Sequence, residues 1–177
     1  MKTIAIVGSP RKEGNCDILV NELVEKLEGD KKIYFLQDLD INYCKACQKC
    51  QNGPCVQDDD IRKIVDEMLE ADLFIFSSPI YYGQISAQAK TLIDRFYQVS
   101  QNPDKSLEGT KVVQIYTQAN PQGIYDKYVE SMETMPFGYM GMEVIDTVIA
   151  KGAMGKGEYD QLADAIKKVE KIGDELL

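Results

Sequence analysis

Short apolar runs alternate with amphipathic stretches along this chain. Thr3-Ile4-Ala5-Ile6-Val7 is unbroken and stopped by Gly8, the pattern of a strand buried on both faces. Residues 15–28 then place Ile18, Leu19, Leu23, Val24 and Leu27 at helical spacing. Lys32-Ile33-Tyr34-Phe35-Leu36 reads as a second strand, and a polar, cysteine-rich loop follows over about residues 37–57. Asp58-Asp59-Asp60 precedes Ile61, Ile64, Val65, Met68 and Leu69 at helical intervals, an acidic start that suits a helix cap and dipole better than a metal. Leu73-Phe74-Ile75-Phe76 is a third strand, and a helix carrying Ile85, Ala89, Leu92, Ile93 and Phe96 comes next. A strand over 111–116, a helix over about 123–135, a strand over 143–150 and a helix over about 158–175 complete the pattern.

Five strands alternating with helices predict an α/β fold, a parallel sheet with helices on both faces, because parallel strands need crossover connections. The expected arrangement is one doubly wound three-layer domain over residues 1–177; an eight-stranded barrel needs roughly 250 residues. Ligands of such sheets sit beyond the carboxyl ends of the strands, where strand order reverses. The loops after the first four strands are therefore the ones to search.

Composition narrows the chemistry. Lys plus Arg number 20 and Asp plus Glu 29, a net charge of −9 that disfavours nucleic acid and anionic membranes as partners. The chain has no histidine, which removes Ser-His-Asp and Cys-His nucleophile pairs, histidine metal sites and imidazole acid–base catalysis. A bound cofactor becomes the expected source of chemistry. No apolar stretch approaches roughly 18 residues and no signal-peptide pattern opens the chain, so a cytoplasmic protein is expected. Five cysteines in a reducing compartment then favour metal or redox use over disulfides.

The first loop, Gly8-Ser9-Pro10-Arg11-Lys12-Glu13-Gly14-Asn15-Cys16, is neither a Walker A loop nor a G-x-G-x-x-G fingerprint. It has the parts of an anion site: flexible residues whose backbone N–H groups can converge, the Ser9 hydroxyl, the Arg11 fork, and a helix start at Asn15. The plain alternative is a polar turn with Asn15 as a cap. Ser77-Ser78-Pro79-Ile80-Tyr81-Tyr82-Gly83 after the third strand offers faces and hydroxyls suited to a planar ring, or else a tyrosine corner packed under the next helix. Thr117, Gln118 and Asn120 after the fourth strand offer hydroxyl and amide groups, or an ordinary turn.

Gly-Ser-Pro-Arg followed by Gly-Asn, and Ser-Pro-Ile-Tyr-Tyr-Gly continued by Ser86, Lys90 and Ile93-Asp94-Arg95, closely resemble the two cofactor loops of the NADPH-dependent FMN reductases and iron–sulfur flavoproteins, a flavodoxin-like group. The resemblance covers roughly residues 1–120 and implies a flavodoxin-like sheet in the order 2-1-3-4-5. It also implies an FMN phosphate held by Ser9, Arg11, Gly14 and Asn15, with an isoalloxazine lined by Pro79, Ile80, Tyr81, Tyr82 and Gly83. Cys16 stands where the family usually has Ser or Thr, and a thiol donates only weakly.

Cys44, Cys47, Cys50 and Cys55 form C-x2-C-x2-C-x4-C, near the ferredoxin-type run that binds [4Fe–4S]. Zinc, redox-active thiols and unligated thiols remain alternatives at this spacing. Iron–sulfur flavoproteins carry a compact motif of this kind after the second strand, so the resemblance implies an FMN oxidoreductase that hands electrons singly through a cluster. A small-molecule or protein donor and acceptor, NAD(P)H as one donor, and a homodimer or homotetramer are implied with it. The alternatives are a cluster-free NAD(P)H-dependent FMN or quinone reductase, and a non-catalytic thiol sensor or electron carrier. If the second strand neighbours the first, the cysteine loop leaves the sheet at the edge that carries the phosphate loop.

Overall fold

The computed structural model describes residues 1–157 and 159–177, with side chains 159–161 left aside. Its strands are β1 (Lys2–Val7), β2 (Asp30–Phe35), β3 (Leu73–Tyr81), β4 (Gln84–Ile85), β5 (Lys111–Gln118) and β6 (Glu143–Lys151). Its helices are α1 (Asn15–Lys26), α2 (Asp60–Met68), α3 (Ala87–Arg95), α4 (Tyr97–Ser100), α5 (Asp126–Met132) and α6 (Tyr159–Glu175). The sheet runs β2-β1-β3-β5-β6, all parallel, and the two-residue β4 folds back antiparallel onto the end of β3. Setting β4 aside, this is the expected order 2-1-3-4-5 of a flavodoxin-like α/β fold.

Period-two alternation divides the strand side chains between two cores. Ile4, Ile6, Phe74, Phe76, Val112 and Tyr116 face α2, α3 and α5, whereas Ala5, Val7, Leu73, Ile75, Val113 and Ile115 face α1 and α6. Both faces being covered explains the continuous apolar runs that mark β1, β3 and β5 in the sequence.

Three boundaries differ from expectation for local reasons. β3 continues past Phe76 to Tyr81, because the wholly buried Ser77 pairs with both β1 and β5, the buried Ser78 and Pro79 pair with β5, and Ile80 and Tyr81 pair with β4. β5 likewise carries Thr117 and Gln118 within the strand. The helix expected over 123–135 is confined to 126–132, and Pro136, which has no N–H to donate, sits in the irregular turn that follows. The expected start of the last helix at residue 158 lies outside the described residues.

Candidate functional site

The carboxyl ends of β1, β3 and β5 enclose a cavity of about 180 Å3. Ser9, Arg11, Asn15 and Cys16 line it from the first loop, Pro79, Ile80 and Tyr81 from the end of β3, and Thr117 and Gln118 from the end of β5. Three loops remote in sequence meet because their strands are adjacent in the sheet, at the point where strand order reverses. Gly14, Tyr82, Gly83 and Asn120 do not line it. Gly14 instead caps α1, Asn120 accepts the Gln122 N–H, and Tyr82 stands fully exposed in the left-handed region at φ 50°.

The first loop is pinned from both sides. Gly8 N–H donates to Ser77 O at 2.8 Å, and the Ser86 hydroxyl donates to Gly8 O at 2.5 Å while accepting the Ala89 N–H as the cap of α3. A Cβ at Gly8 would stand 2.7 Å from Ser77 O, so this close approach requires glycine. Ser9 Oγ accepts the Arg11 N–H at 3.2 Å, which leaves its proton free to donate. α1 has no side-chain cap at Gly14, so its first-turn N–H groups remain available at the positive end of the dipole.

Residues 1–153 match the family described as NADPH-dependent FMN reductase. The chain belongs to that family. An iron–sulfur flavoprotein of Archaeoglobus fulgidus is 33% identical over 155 residues, 82% of this chain and 70% of that protein. A second from the same organism is 41% identical over 97 residues, 54% of this chain but only 48% of its own length. The chain thus spans about half the length of that relative. An FMN-dependent NADH-azoreductase of Bacillus anthracis, solved in complex with FMN, superposes with a TM-score of 0.74 over 99% of each chain at 15% identity, a likeness of fold.

FMN fits this member of the reductase family on two observations. The uncapped start of α1, with Ser9 and Arg11 beside it, offers donors to a phosphate. Gln118 Nε2 donates to Asn120 O and Gln122 O, both at 3.0 Å, leaving the buried Oε1 without a partner. An unpaired acceptor in a cavity wall needs a donor, and a flavin ring carries one N–H between two carbonyls.

Asn15 differs from the expected phosphate ligand. Its side-chain amide donates to Ala153 O and Gly155 O, both at 3.1 Å, and its oxygen accepts the Gly157 N–H at 3.1 Å. The segment after β6 is thereby drawn over the first loop, and Ala153, Met154 and Gly155 form a fourth wall. Sequence reasoning missed this wall, although Gly152, Gly155 and Gly157 within six residues signal a tight turn at a strand end. Arg11 is exposed, and its Nη1 reaches Met154 O at 3.5 Å. Cys16 is buried beside Thr117, with 3.3 Å between Sγ and Oγ1, and burial pushes its thiol up to about 11. It therefore meets a ligand as a neutral thiol.

None of the four clustered cysteines lines this cavity. Their loop leaves β2 beside the first loop, where Lys12 pairs with Asp38 at 2.5 Å, and then packs against α3 and α4. Gln51 Nε2 donates to the Tyr97 hydroxyl, and Asn102 Nδ2 donates to Cys50 O and Gly53 O. Ser86 marks the cavity end of α3 and Arg95 the cysteine end, so the nine-residue helix spaces the two regions by roughly 13 Å. All five cysteines are free thiols. Burial pushes the Cys50 thiol up, and its neighbours Cys55, Cys44 and Cys47 add to that rise. Among the described residues no three Cys, Asp or Glu side chains converge on one metal position.

Beside the cysteine loop, and away from the cavity, lies a pairing that the sequence did not indicate. Arg95 and Asp59 form a buried ion pair at 2.6 and 2.9 Å, and Asp59 also caps α2 through the Arg62 N–H. Arg95 stands three residues beyond Leu92, on the apolar stripe of α3, which is the available signal for burial.

Proposed function

We propose that this chain is one FMN-binding domain acting as an FMN-dependent oxidoreductase of the iron–sulfur flavoprotein type. The observation that carries the reading is the meeting of the Ser9–Cys16, Pro79–Tyr81 and Thr117–Gln118 loops in one cavity, with the buried Gln118 acceptor unpaired. Bound FMN would supply hydride and single-electron chemistry. Ser9, Arg11 and the first-turn amides of α1 hold its phosphate. Pro79, Ile80 and Tyr81 line the ring, while Thr117 and Gln118 address its polar edge. No residue has to act as a general base, in keeping with a chain without histidine. NAD(P)H is the proposed donor, and the exposed Tyr81, Tyr82 and Met154 give the mouth an apolar rim for a small-molecule or protein acceptor. A homodimer or homotetramer is the expected assembly.

Cys44, Cys47, Cys50 and Cys55 are soft sulfur donors of the kind an iron–sulfur cluster takes, although among the described residues no three of them converge on one metal position. Ala46 N–H donates to Cys44 Sγ at 3.5 Å, and Arg95 Nη2–H to Cys55 Sγ at 3.4 Å. A cluster there would relay electrons singly. The cluster-free NAD(P)H reductase is the second reading, favoured by the lack of convergence among the described thiols. Anaerobic iron, sulfide and flavin stoichiometry, followed by NAD(P)H oxidation, separates the two. About four irons and one FMN per chain support the first reading; one FMN without iron supports the second; no flavin overturns both.

A further inference from the structure

The hairpin that ends β3 carries a residue for which its own fold gives no reason. Ile80 pairs with Ile85 and Tyr81 with Gln84, so Tyr82 and Gly83 form a two-residue loop, with φ at 50° and 81°. A turn with both central residues in the left-handed region favours Asn-Gly, because a short polar side chain tolerates that conformation. Here a bulky aromatic residue takes the first place. It is strained there and yet fully exposed, so no burial against its own chain offsets the strain.

A groove of about 390 Å3 opens beside the same hairpin. It begins at Gln84 and Ile85 and continues between α3 and the turn after α5, walled by Ile93, Met132, Met135 and Tyr139. Ile85 N–H donates to the Tyr128 hydroxyl at 3.1 Å, which ties the hairpin to the α5 wall. Met135 and Tyr139 are each more than half exposed, so the groove is apolar to its rim. Apolar surface of this kind beside a protruding ring marks a contact face.

Charge identifies what covers it. The chain carries a net −9, so two copies repel wherever acidic surface meets acidic surface. This groove is an exception. The charged residues lining it are Lys90 and Asp94, one of each sign, paired with each other along α3. A neutral lining whose two charges are opposite is complementary to itself about a two-fold axis. A knob and a hollow on one face are complementary in the same way, because a single operation fills both hollows. A strongly charged partner would find no matching charge there, and a small ligand in the groove would leave Tyr82 in water.

We propose that this face joins two copies of the chain about a two-fold axis, the Tyr82 ring of each copy seated in the groove of the other. Each inserted ring buries roughly 150–250 Å2. Tyr81 of the same hairpin lines the flavin cavity, so the pairing brings the second copy to the edge of that cavity. This face serves the homomeric assembly of the proposed flavoprotein, and in that respect the inference rests on that reading.

Two variants separate the ring from the groove. Tyr82→Asn removes the knob and installs the residue that this turn favours, so the hairpin is kept. Met135→Lys sets a cation on the groove wall at an exposed position. It also lowers the net negative charge, so general repulsion would not explain weaker pairing. Each is purified as the full chain with its flavin, and its mass is followed by sedimentation equilibrium and native mass spectrometry.

Wild type is expected to be at least dimeric at micromolar concentration. Each variant should bind its own copy about a hundredfold more weakly, since two symmetric contacts are lost at once. Mixed in equal amounts, the variants should form a heterodimer more tightly than either forms a homodimer, because the mixed pair keeps one intact ring in one intact groove. A wild-type monomer that holds FMN overturns the interface, leaves the flavin reading intact and gives Tyr82 to another occupant, the electron acceptor. A dimer whose strength neither variant alters overturns it too, as do variants that regain no pairing on mixing. A dimer that behaves as expected but holds no flavin supports the interface and overturns the flavin reading instead.

Discussion

Replacing Asn15 tests whether the fourth wall of the cavity is held by a single side chain. Asn15→Ala removes three hydrogen bonds, to Ala153 O, Gly155 O and from Gly157 N–H. At about 1 kcal/mol net for each, less what water restores to a segment at the surface, the loss comes to roughly 2 kcal/mol. For a chain of this length that lowers the melting temperature by about 4–8 °C. The same energy spent locally opens the 152–157 segment about thirtyfold more often, read as faster amide hydrogen exchange there than in β1 or β3. FMN should dissociate roughly tenfold faster in stopped-flow, with its association rate little changed. Asn15→Asp sharpens the test. It keeps the acceptor for Gly157 but sets a carboxylate against two carbonyl oxygens, so it should bind FMN more weakly than Asn15→Ala. Unchanged exchange across 152–157 in Asn15→Ala, or an Asn15→Asp variant that binds as wild type does, refutes the latch.

Further expectations follow from the same geometry. Arg11→Ala should weaken FMN binding by about 10–100-fold, the worth of one charge-assisted hydrogen bond, with little change in apoprotein melting; unaltered affinity in an isothermal titration contradicts the phosphate loop. Burial alone would raise the Asp59 carboxyl, but Arg95 and the Arg62 and Asn42 amides hold it below its ordinary value. Its stabilising contribution is therefore complete above the unfolded carboxyl value of about 3.9 and is lost as pH falls through the lower folded value. Asp59→Asn, which strands the Arg95 charge, should be less stable than wild type at pH 7 by about 3 kcal/mol, with the gap closing in acid. Urea titrations giving a pH-independent gap would contradict this. In cofactor-free protein at pH 8, iodoacetamide should modify the exposed Cys47 and spare Cys16, whose buried thiol ionises only near 11. Mass spectrometry showing equal labelling refutes that placement.

The parallel sheet is legible because β1, β3 and β5 are covered on both faces, and such strands must be apolar throughout. The loop after β1 is legible for a similar reason: the close backbone approach at Gly8 requires glycine, which marks it at a fixed place. What periodicity hides is structure imposed by neighbours. Ser77-Ser78-Pro79 reads as a loop, yet β1 pairs Ser77, β5 carries the ladder on to Pro79, and β4 pairs Ile80 and Tyr81. Asn15 reads as a cap or a ligand, and only contact with the segment after β6, some 140 positions away, turns it into a latch. Asp59 and Arg95 are each ordinary helix-end residues in one dimension. Their pairing requires α2 and α3 to pack side by side on one face of the sheet, which local pattern does not encode.

The central claim is that a terminal phosphate is gripped where β1 turns into α1. Comparing FMN with riboflavin, which differs only in lacking that phosphate, isolates the grip in one calorimetric experiment on the cofactor-free protein. The account predicts FMN bound at least a hundredfold more tightly, about 3 kcal/mol, with the difference shrinking as salt rises. Equal affinity for the two flavins would contradict it.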